Sequence, residues 1–363
     1  MDINTSDLVL VVVIMAGGVG TRFWPVSTAR RPKQFLRLFG DRSLLQMSYD
    51  RVSGLVSPDR ILVLTNEAFV SEVREQLPEI PGDNVIGEPM RRDTAAAVTL
   101  AGILCRNRFG NPVMAILTAD HMIEPLPQFH KTLLSAVNGA IKQNGLYTFG
   151  ISPAYPATGY GYLERGERVV EDDGIEHFQL LRFKEKPDRA TARSYIESGR
   201  FYWNSGMFVW QTDVILAALK EHLPGHVEQI AAACAQHGAE DWPQALRAAF
   251  EPLPRISIDF GVMEKAPHVY CVASRFSWDD VGGWLSLRKY MSADETGNCC
   301  FGRTQSLDSA NNLIFSEDSK EIVALVGVED LVVVRSKNAT LVVHKDRTEE
   351  VKKLVEQMEK TDS

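Results

Sequence analysis

Between Leu8 and Thr118 the chain alternates apolar runs of strand length with apolar residues at helical spacing, and few folds accept that alternation. Leu8–Met15 reads as a buried parallel strand. Ser43 and Gln46 form a capping-box pattern ahead of Leu44, Leu45, Val52, Leu55 and Val56, which recur at roughly helical intervals. Ile61–Thr65 is strand-like, Phe69, Val70, Val73 and Leu77 share one helical face, Thr94–Cys105 is an alanine-rich helix and Val113–Thr118 a further strand. This order predicts an α/β fold: a Rossmann-like, mostly parallel sheet with helices on both faces. Phe129, Leu133, Val137 and Ile141 repeat every four residues, and Gly145 is placed to end that helix. From about 147 to 285, short strand-like runs mix with helices such as Asp213–Leu223 among Gly and Pro turns.

From about residue 298 the pattern changes. Leu313–Phe315, Ile322–Val326, Leu331–Val334 and Ala339–Val343 are short β-rich runs about ten residues apart, as in a few coils of a left-handed β-helix-like unit. Asp346 and Glu349 are then expected to cap a closing helix with Val351, Leu354, Val355 and Met358 on one face. The expected division is a catalytic domain over 1–297 and a β-helix-like unit with its helix over 298–363, with no low-complexity linker between them.

Composition excludes several classes of function. A net charge of −8 argues against a nucleic-acid backbone as partner. Leu8–Met15 is too short to span a bilayer, and it follows Asp2 and Asp7 rather than a basic segment, so neither a membrane partner nor a signal peptide is expected. Cys105, Cys234, Cys271, Cys299 and Cys300 are odd in number and lack a CxxC pair, which fits small buried hydrophobes in a cytoplasmic, reducing setting.

The first strand leads into Met15-Ala-Gly-Gly-Val-Gly-Thr-Arg22-Phe-Trp-Pro25. Gly17, Gly18 and Gly20 free the backbone to turn N–H groups toward an anion. The stretch is neither a P-loop nor a dinucleotide fingerprint, whose third glycine position here is Phe23. A glycine turn alone is often only a turn. Here Arg22, Arg30, Arg31, Lys33 and Arg37 fall within sixteen positions of an acidic chain, stiffened by Pro25 and Pro32. A rigid basic loop at the carboxyl end of a parallel strand is where α/β proteins bind phosphates.

The string Gly17–Leu36, GGVGTRFWPVSTARRPKQFL, resembles the signature of the sugar-phosphate nucleotidyltransferases and is similar to the bacterial mannose-1-phosphate guanylyltransferase branch. The resemblance covers nearly the whole chain. It implies that the loop from Gly17 through Gly18, Gly20 and Thr21 wraps a triphosphate, with Arg22 and Lys33 on its phosphates.

Two acidic elements are candidates for a metal. Asp120 follows the run Val113–Leu117, and Asp279 and Asp280 precede Val281-Gly282-Gly283. Mg²⁺ takes oxygen ligands, commonly one or two carboxylates plus substrate phosphates. The resemblance implies Asp120 and Asp280 as the Mg²⁺ ligands, with Asp279 the close competitor; His121 is expected to be a structural hydrogen-bonding residue rather than a ligand.

Thr158–Tyr162, Phe183–Pro187 and Trp203–Phe208 would each pass as ordinary turns or strand ends. In this order they resemble the family's sugar-phosphate half. That implies a backbone approach at Gly161, hexose contacts by Glu185 and Asn204, sugar-phosphate binding by Lys186, and a further hexose contact by Glu264 in Ser257–Lys265. Near the base the branch has E-P-x-G-R-N-T-A-P-A. Here Glu88, Pro89, Met90, Arg91, Arg92, Asp93, Thr94, Ala95, Ala96 and Ala97 stand, so Glu88, Asp93 and Thr94 are the nucleotide candidates. Asp93 in place of Asn can still accept from the N–H edge of guanine. Gly283 stands where the branch commonly has Ser.

The expected reaction joins GTP to mannose 1-phosphate. The alternatives are the same chemistry on another hexose 1-phosphate or base, and a catalytically silent nucleotide-sugar sensor. Many relatives carry an additional isomerase domain; none is expected within these 363 residues, where His344 is the single histidine after position 300. The β-rich tail leaves room for a homodimer.

Overall fold

The computed structural model describes residues 9–18 and 20–361. Leu8 of the expected first strand, Asp2, Asp7 and Val19 of the glycine loop lie outside the described residues. The chain forms two compact units that interleave along the sequence. Among the described residues, the first takes in 9–17 together with Ser48–Ala119 and Ile123–Trp278; the second takes in the remainder up to Met47, Asp120–Met122 and 279–361.

The first unit is the α/β layer structure. Its strands are β1 (Leu10–Ala16), β2 (Ile61–Asn66), β3 (Val85–Glu88), β4 (Val113–Thr118), β5 (Met122–Glu124), β6 (Leu146–Ile151), β7 (Gly161–Asp172), β8 (Ile175–Glu185), β9 (Phe201–Gln211), β10 (Val269–Ala273) and β11 (Ser277–Asp279), the first residue of β5 and the last of β11 falling in the second unit. Nine of them make one sheet in the order β3-β2-β1-β4-β9-β6-β10-β8-β7. The run β3-β2-β1-β4 is parallel, as the alternation predicts, and β6 and β10 are parallel neighbours. Strand β9 runs antiparallel between β4 and β6. The register places Ala16 beside Thr65, and Asn66 beside Glu88, so Gly17 and Glu88 leave the sheet at the same carboxyl edge. Thr65 Oγ1 donates to Ala16 O at 3.0 Å and fixes that edge.

Helices α1 (Leu44–Asp50), α2 (Val70–Gln76), α3 (Asp93–Phe109) and α4 (Leu126–Gln143) match the periodic segments. The capping box is present: Gln46 Oε1 accepts from Ser43 N at 3.0 Å, and Ser43 Oγ accepts from Gln46 N at 3.1 Å. Ala95 through Cys105 of α3 are all buried, which is why that stretch is small and apolar on every side. The end of α4 differs from expectation. Asn144, at φ +47°, is the left-handed residue that stops it. Gly145 is needed for packing instead, because a Cβ there would lie 2.5 Å from the Tyr270 ring.

The middle also holds more regular structure than the sequence pattern suggests, since β7, β8 and β9 have 12, 11 and 11 residues. The β7–β8 hairpin turns at Asp173 and Gly174, both at positive φ, an Asp-Gly pair that fits a hairpin turn. Helices α5 (Arg189–Glu197), α6 (Thr212–His222), α7 (Pro224–Cys234) and α8 (Trp242–Phe250) complete the unit, and its main core joins the sheet to α3, α6, α7 and α8.

The second unit combines the glycine loop with the tail. Strands β12 (Cys299–Phe301), β13 (Arg303–Leu307), β14 (Leu313–Ser316), β15 (Ile322–Val326), β16 (Leu331–Arg335) and β17 (Thr340–His344) form two small sheets, β12-β14-β16-β17 and β13-β15. Parallel pairing of β12 with β14, β14 with β16 and β13 with β15 gives β-helix-like coils. Like residues stack between coils: the Phe301 and Phe315 rings are 4.7 Å apart, and Asn312 Nδ2 donates to Asn298 Oδ1 at 3.0 Å. The closing helix α9 spans Val351–Thr361. It is reached through a 3-10 turn, Lys345–Glu350, capped by the His344 side chain rather than by Asp346, and Glu349 pairs with Arg22 instead of capping. Val351 and Val355 enter a core with Phe23, Val281, Trp284 and Leu313.

Among the described residues all five cysteines are free, and no helix is long and apolar enough to cross a membrane.

Candidate active site

In the second unit the glycine loop folds back onto its own lysine. Gly20 has φ +65°, and a Cβ there would stand 2.2 Å from Lys33 Cβ, so only glycine allows the loop to close. Lys33, in the 3-10 turn Lys33–Phe35, is buried. Its Nζ lies 3.0 Å from Asp120 Oδ2, donates to the Asp280 main-chain oxygen at 2.5 Å and sits 6.0 Å from the Phe23 ring centroid. Burial, the largest single influence, would raise the Asp120 pKa; the Lys33 charge and hydrogen bond, with His121 and a backbone hydrogen bond, together outweigh it and hold the carboxyl below its ordinary value. His121 Nε2 is 3.8 Å from Asp120 Oδ1.

Asp279 and Asp280 have different surroundings. Asp279 is buried, pairs with Lys289 and accepts from Val281 N at 2.8 Å. That bond ties down a turn in which buried Val281 takes φ +47°, an uncommon backbone state for a β-branched residue. Asp280 instead lines a cavity of about 310 Å³ with Gly20, Arg22, Lys33, Asp120 and Lys352. A Cβ on Gly282 would approach the Asp280 carboxylate oxygens to 3.1 and 3.2 Å, so glycine there keeps them accessible. No cluster of three or more His, Cys, Asp or Glu suited to a metal occurs among the described residues. Two carboxylates on one cavity are a donor set for a divalent cation that completes its shell with substrate oxygens. Arg30, Arg31 and Arg37 are exposed and absent from the cavity lining, and Arg31 pairs with Glu317 at 2.5 Å.

In the first unit two further groups of residues assemble. Glu88 Oε2 lies 3.8 Å from a Cβ placed on Gly17, and burial raises the Glu88 pKa to about 8. Asp93, at φ +58°, opens α3 beside Arg255 at 3.5 Å. Thr94 Oγ1 accepts from Ile258 N at 2.8 Å. Arg92 is occupied by the carbonyls of Phe250 and Glu251, at 2.8 and 2.6 Å.

The second group surrounds Asn204. A Cβ on Gly161 would be 2.5 Å from Glu185 Oε2, so that glycine makes room for the carboxylate. Lys186, at φ +45°, turns its Nζ to Glu185 Oε1 at 2.8 Å. Asn204 Oδ1 accepts from Thr148 Oγ1 at 2.9 Å, and its Nδ2 donates to Asp259 Oδ1 at 2.9 Å. Asp259 opens a π-turn, Asp259–Met263, of the kind frequent at functional sites. Burial, and then the Glu185 charge, raise the Asp259 pKa to about 6. Glu264 is raised mainly by burial, with Glu185 adding and Lys184 opposing. Tyr155, Tyr160, Trp203 and Trp278 meet edge to face, with centroids 4.9 to 5.2 Å apart.

Two residues of these sites, Asp259 and Lys352, are not marked out by the sequence pattern. Asp259 lies inside the Ser257–Lys265 motif, but only the fold shows that it neighbours Asn204. Lys352 carries no local signal at all.

A basic glycine loop, two aspartates on its cavity and an acid–amide cluster at strand ends are the equipment of nucleotidyl transfer, and the chain belongs to the nucleotidyl transferase family, whose model matches residues 11–297. A MannoseP isomerase/GMP-like beta-helix domain matches residues 302–358. The chain is similar to mannose-1-phosphate guanylyltransferase 2 of Escherichia coli O157:H7, with 40% identity over 97% of this chain and 74% of that protein. It is equally similar, at 40%, to the mannose-1-phosphate guanylyltransferase of Klebsiella pneumoniae, over 96% and 73%. Among solved structures, one described as a mannose-1-phosphate geranyltransferase from Thermus thermophilus superposes with a TM-score of 0.85 at 34% identity, covering 96% of this chain and 99% of that one.

Proposed function

We propose that this chain transfers a guanylyl group from GTP to mannose 1-phosphate, giving GDP-mannose and pyrophosphate. The observation that carries the reading is the cavity on which Asp120, Asp280, Arg22 and Lys33 converge, in a chain 40% identical over nearly its whole length to relatives of that name.

A phosphate oxygen of the sugar attacks the α-phosphorus of GTP in line. One P–O bond forms, the bond from the α-phosphorus to the β-phosphate's bridging oxygen breaks, and pyrophosphate takes the electron pair. No covalent enzyme intermediate is required, so catalysis consists of alignment and charge neutralisation. Arg22 and Lys33 neutralise the triphosphate, and the backbone of Gly17, Gly18, Gly20 and Thr21 follows it. Asp120, held ionised by Lys33, and Asp280 would hold Mg²⁺; when bound, the metal supplies positive charge to phosphate oxygens. Lys186 orients the attacking phosphate, while Glu185, Asn204 and Glu264, with the space left at Gly161, take the hexose. Glu88, Asp93 and Thr94 take the guanosine.

The assignment of 1–297 as catalytic and 298–363 as a β-helix-like unit belongs to this proposal, supported by the two family matches. So do a cytoplasmic setting, which the free thiols suit, and a homodimer through the β-rich tail.

A pyrophosphate-release screen crossing four nucleoside triphosphates with several hexose 1-phosphates tests the reading. GTP with mannose 1-phosphate is expected to give the highest kcat/KM. A different best pair would overturn the specificity, and no release from any pair would overturn the reaction.

A further inference from the structure

Three cationic side chains line the cavity of the second unit: Arg22, Lys33 and Lys352. All three have an anionic or carbonyl oxygen as partner. Lys33 is held by Asp120 and by the Asp280 carbonyl, and Arg22 Nε lies 3.0 Å from Glu349 Oε2. Lys352 differs. Its ion-pair partner, Glu356, lies one turn along its own helix at 3.8 Å, a looser pair than the 3.0 Å contacts of Arg22 with Glu349 and of Lys33 with Asp120.

The position of Lys352 is set by packing. Val351 and Val355 are four residues apart on one face of α9 and are buried with Phe23, which follows Arg22, and with Val281, which follows Asp280. Seating that face presents Lys352 to the cavity edge. The segment before α9 brings the opposite charge, because Glu349 sits on the Arg22 guanidinium. The closing segment therefore carries one cation and one anion to the basic loop.

We infer that Lys352 binds the β- and γ-phosphates of the incoming triphosphate, the portion that leaves as pyrophosphate, and that Glu349 holds Arg22 in place of a phosphate until one arrives. This rests on the function proposed above. The chemistry is local. An ammonium facing a pyrophosphate forms charge-assisted hydrogen bonds, and a carboxylate already on the guanidinium competes with the same ligand. The product nucleotide sugar lacks the leaving pyrophosphate, so it makes no demand on Lys352.

The test is calorimetric titration of inorganic pyrophosphate, with Mg²⁺ present, into the full chain and its variants. Lys352→Ala is expected to raise the pyrophosphate Kd about tenfold, and Lys352→Arg to restore it to within about threefold. Glu349→Gln is expected to lower the Kd severalfold by freeing Arg22. Lys353→Ala, exposed on the same helix and outside the cavity lining, should leave it unchanged. Titration of GDP-mannose into Lys352→Ala should match the unaltered chain, which a general collapse of the fold would not permit. Equal pyrophosphate affinity in Lys352→Ala and the unaltered chain would overturn the assignment, as would an equal loss in Lys353→Ala; a Glu349→Gln affinity that is unchanged or weaker would overturn the placeholder role. Failure of the functional reading appears separately, as absence of pyrophosphate release from GTP and mannose 1-phosphate in the unaltered chain.

Discussion

Lys33 Nζ lies 3.0 Å from Asp120 Oδ2, joining a residue of the glycine loop to one 87 positions further along the chain. Burial disfavours the Asp120 carboxylate, and the Lys33 ammonium, with His121 and hydrogen bonds beside it, restores it. Asp120 is thus kept anionic, while the same ammonium reaches the Asp280 carbonyl. One lysine organises both halves of the carboxylate pair.

Asp120→Asn and Asp280→Asn are each expected to lower kcat by at least about 10²-fold, the scale of losing one preorganised transition-state charge contact. Asp279→Ala should behave differently. It removes the acceptor for Val281 N and leaves Lys289 without its carboxylate, so stability should fall by about 1–2 kcal/mol while kcat changes much less. Single-turnover rates at saturating Mg²⁺, read beside urea unfolding, separate the two effects. A collapse of kcat in Asp279→Ala with a mild effect in Asp280→Asn would reverse the metal assignment.

The two lysines are expected to separate the substrates. Lys186→Ala should mainly raise KM for mannose 1-phosphate and lower kcat through poor alignment, with little change in GTP affinity. Lys33→Ala should weaken GTP and spare the sugar phosphate, because buried Lys33 is fixed on Asp120 and the Asp280 carbonyl, whereas the charge of exposed Lys186 is largely screened beyond about 8 Å at physiological salt. Titration of GTP into both variants decides this, and equal weakening by the two would sink the division.

Gly20→Ala tests the loop itself. The left-handed backbone costs a non-glycine residue about 1–2 kcal/mol, and the added methyl would overlap Lys33 Cβ. Loss of at least about 2 kcal/mol of stability is expected from strain and overlap together, with weaker GTP binding. Gly18→Ala is the comparison, since a Cβ there meets nothing within 4 Å. If Gly20→Ala unfolds at the same urea concentration as Gly18→Ala, the closure argument fails.

The parts of this molecule that can be read from sequence are those whose information is local. The Ser43–Gln46 cap needs only its own turn, and the β-rich runs of the tail carry their own spacing. The stop of α4 falls at Asn144, one residue before the position the sequence suggests, because glycine is the commoner stop signal and Gly145 is demanded instead by the Tyr270 ring from a distant strand. The length of β7, β8 and β9 is hidden in the sequence because bulges and charged outward residues break strict alternation. Asp259 and Lys352 escape for the same physical reason: each is brought to its neighbours by tertiary packing, one through a π-turn beside Asn204 and the other through the seating of Val351 and Val355.

Glu88 links stability to pH with a definite sign. Burial raises its pKa from an ordinary 4.5 to about 8. Between those values the unfolded chain has lost this proton and the folded chain retains it. The folded state then binds more protons, so this residue's contribution is fully present below about pH 4.5 and is lost as pH rises toward 8. Glutamine keeps a neutral side chain of similar shape and does not titrate. The stability of Glu88→Gln relative to the unaltered chain should therefore climb steadily between about pH 5 and 8 and level off above, by roughly 2–5 kcal/mol in total. Urea unfolding of both proteins at unit pH intervals from about 5 to 9 gives the difference directly. Other titrating groups cancel in that subtraction as long as they do not couple to Glu88. A difference that stays flat across the range would mean that Glu88 is ionised in the folded protein.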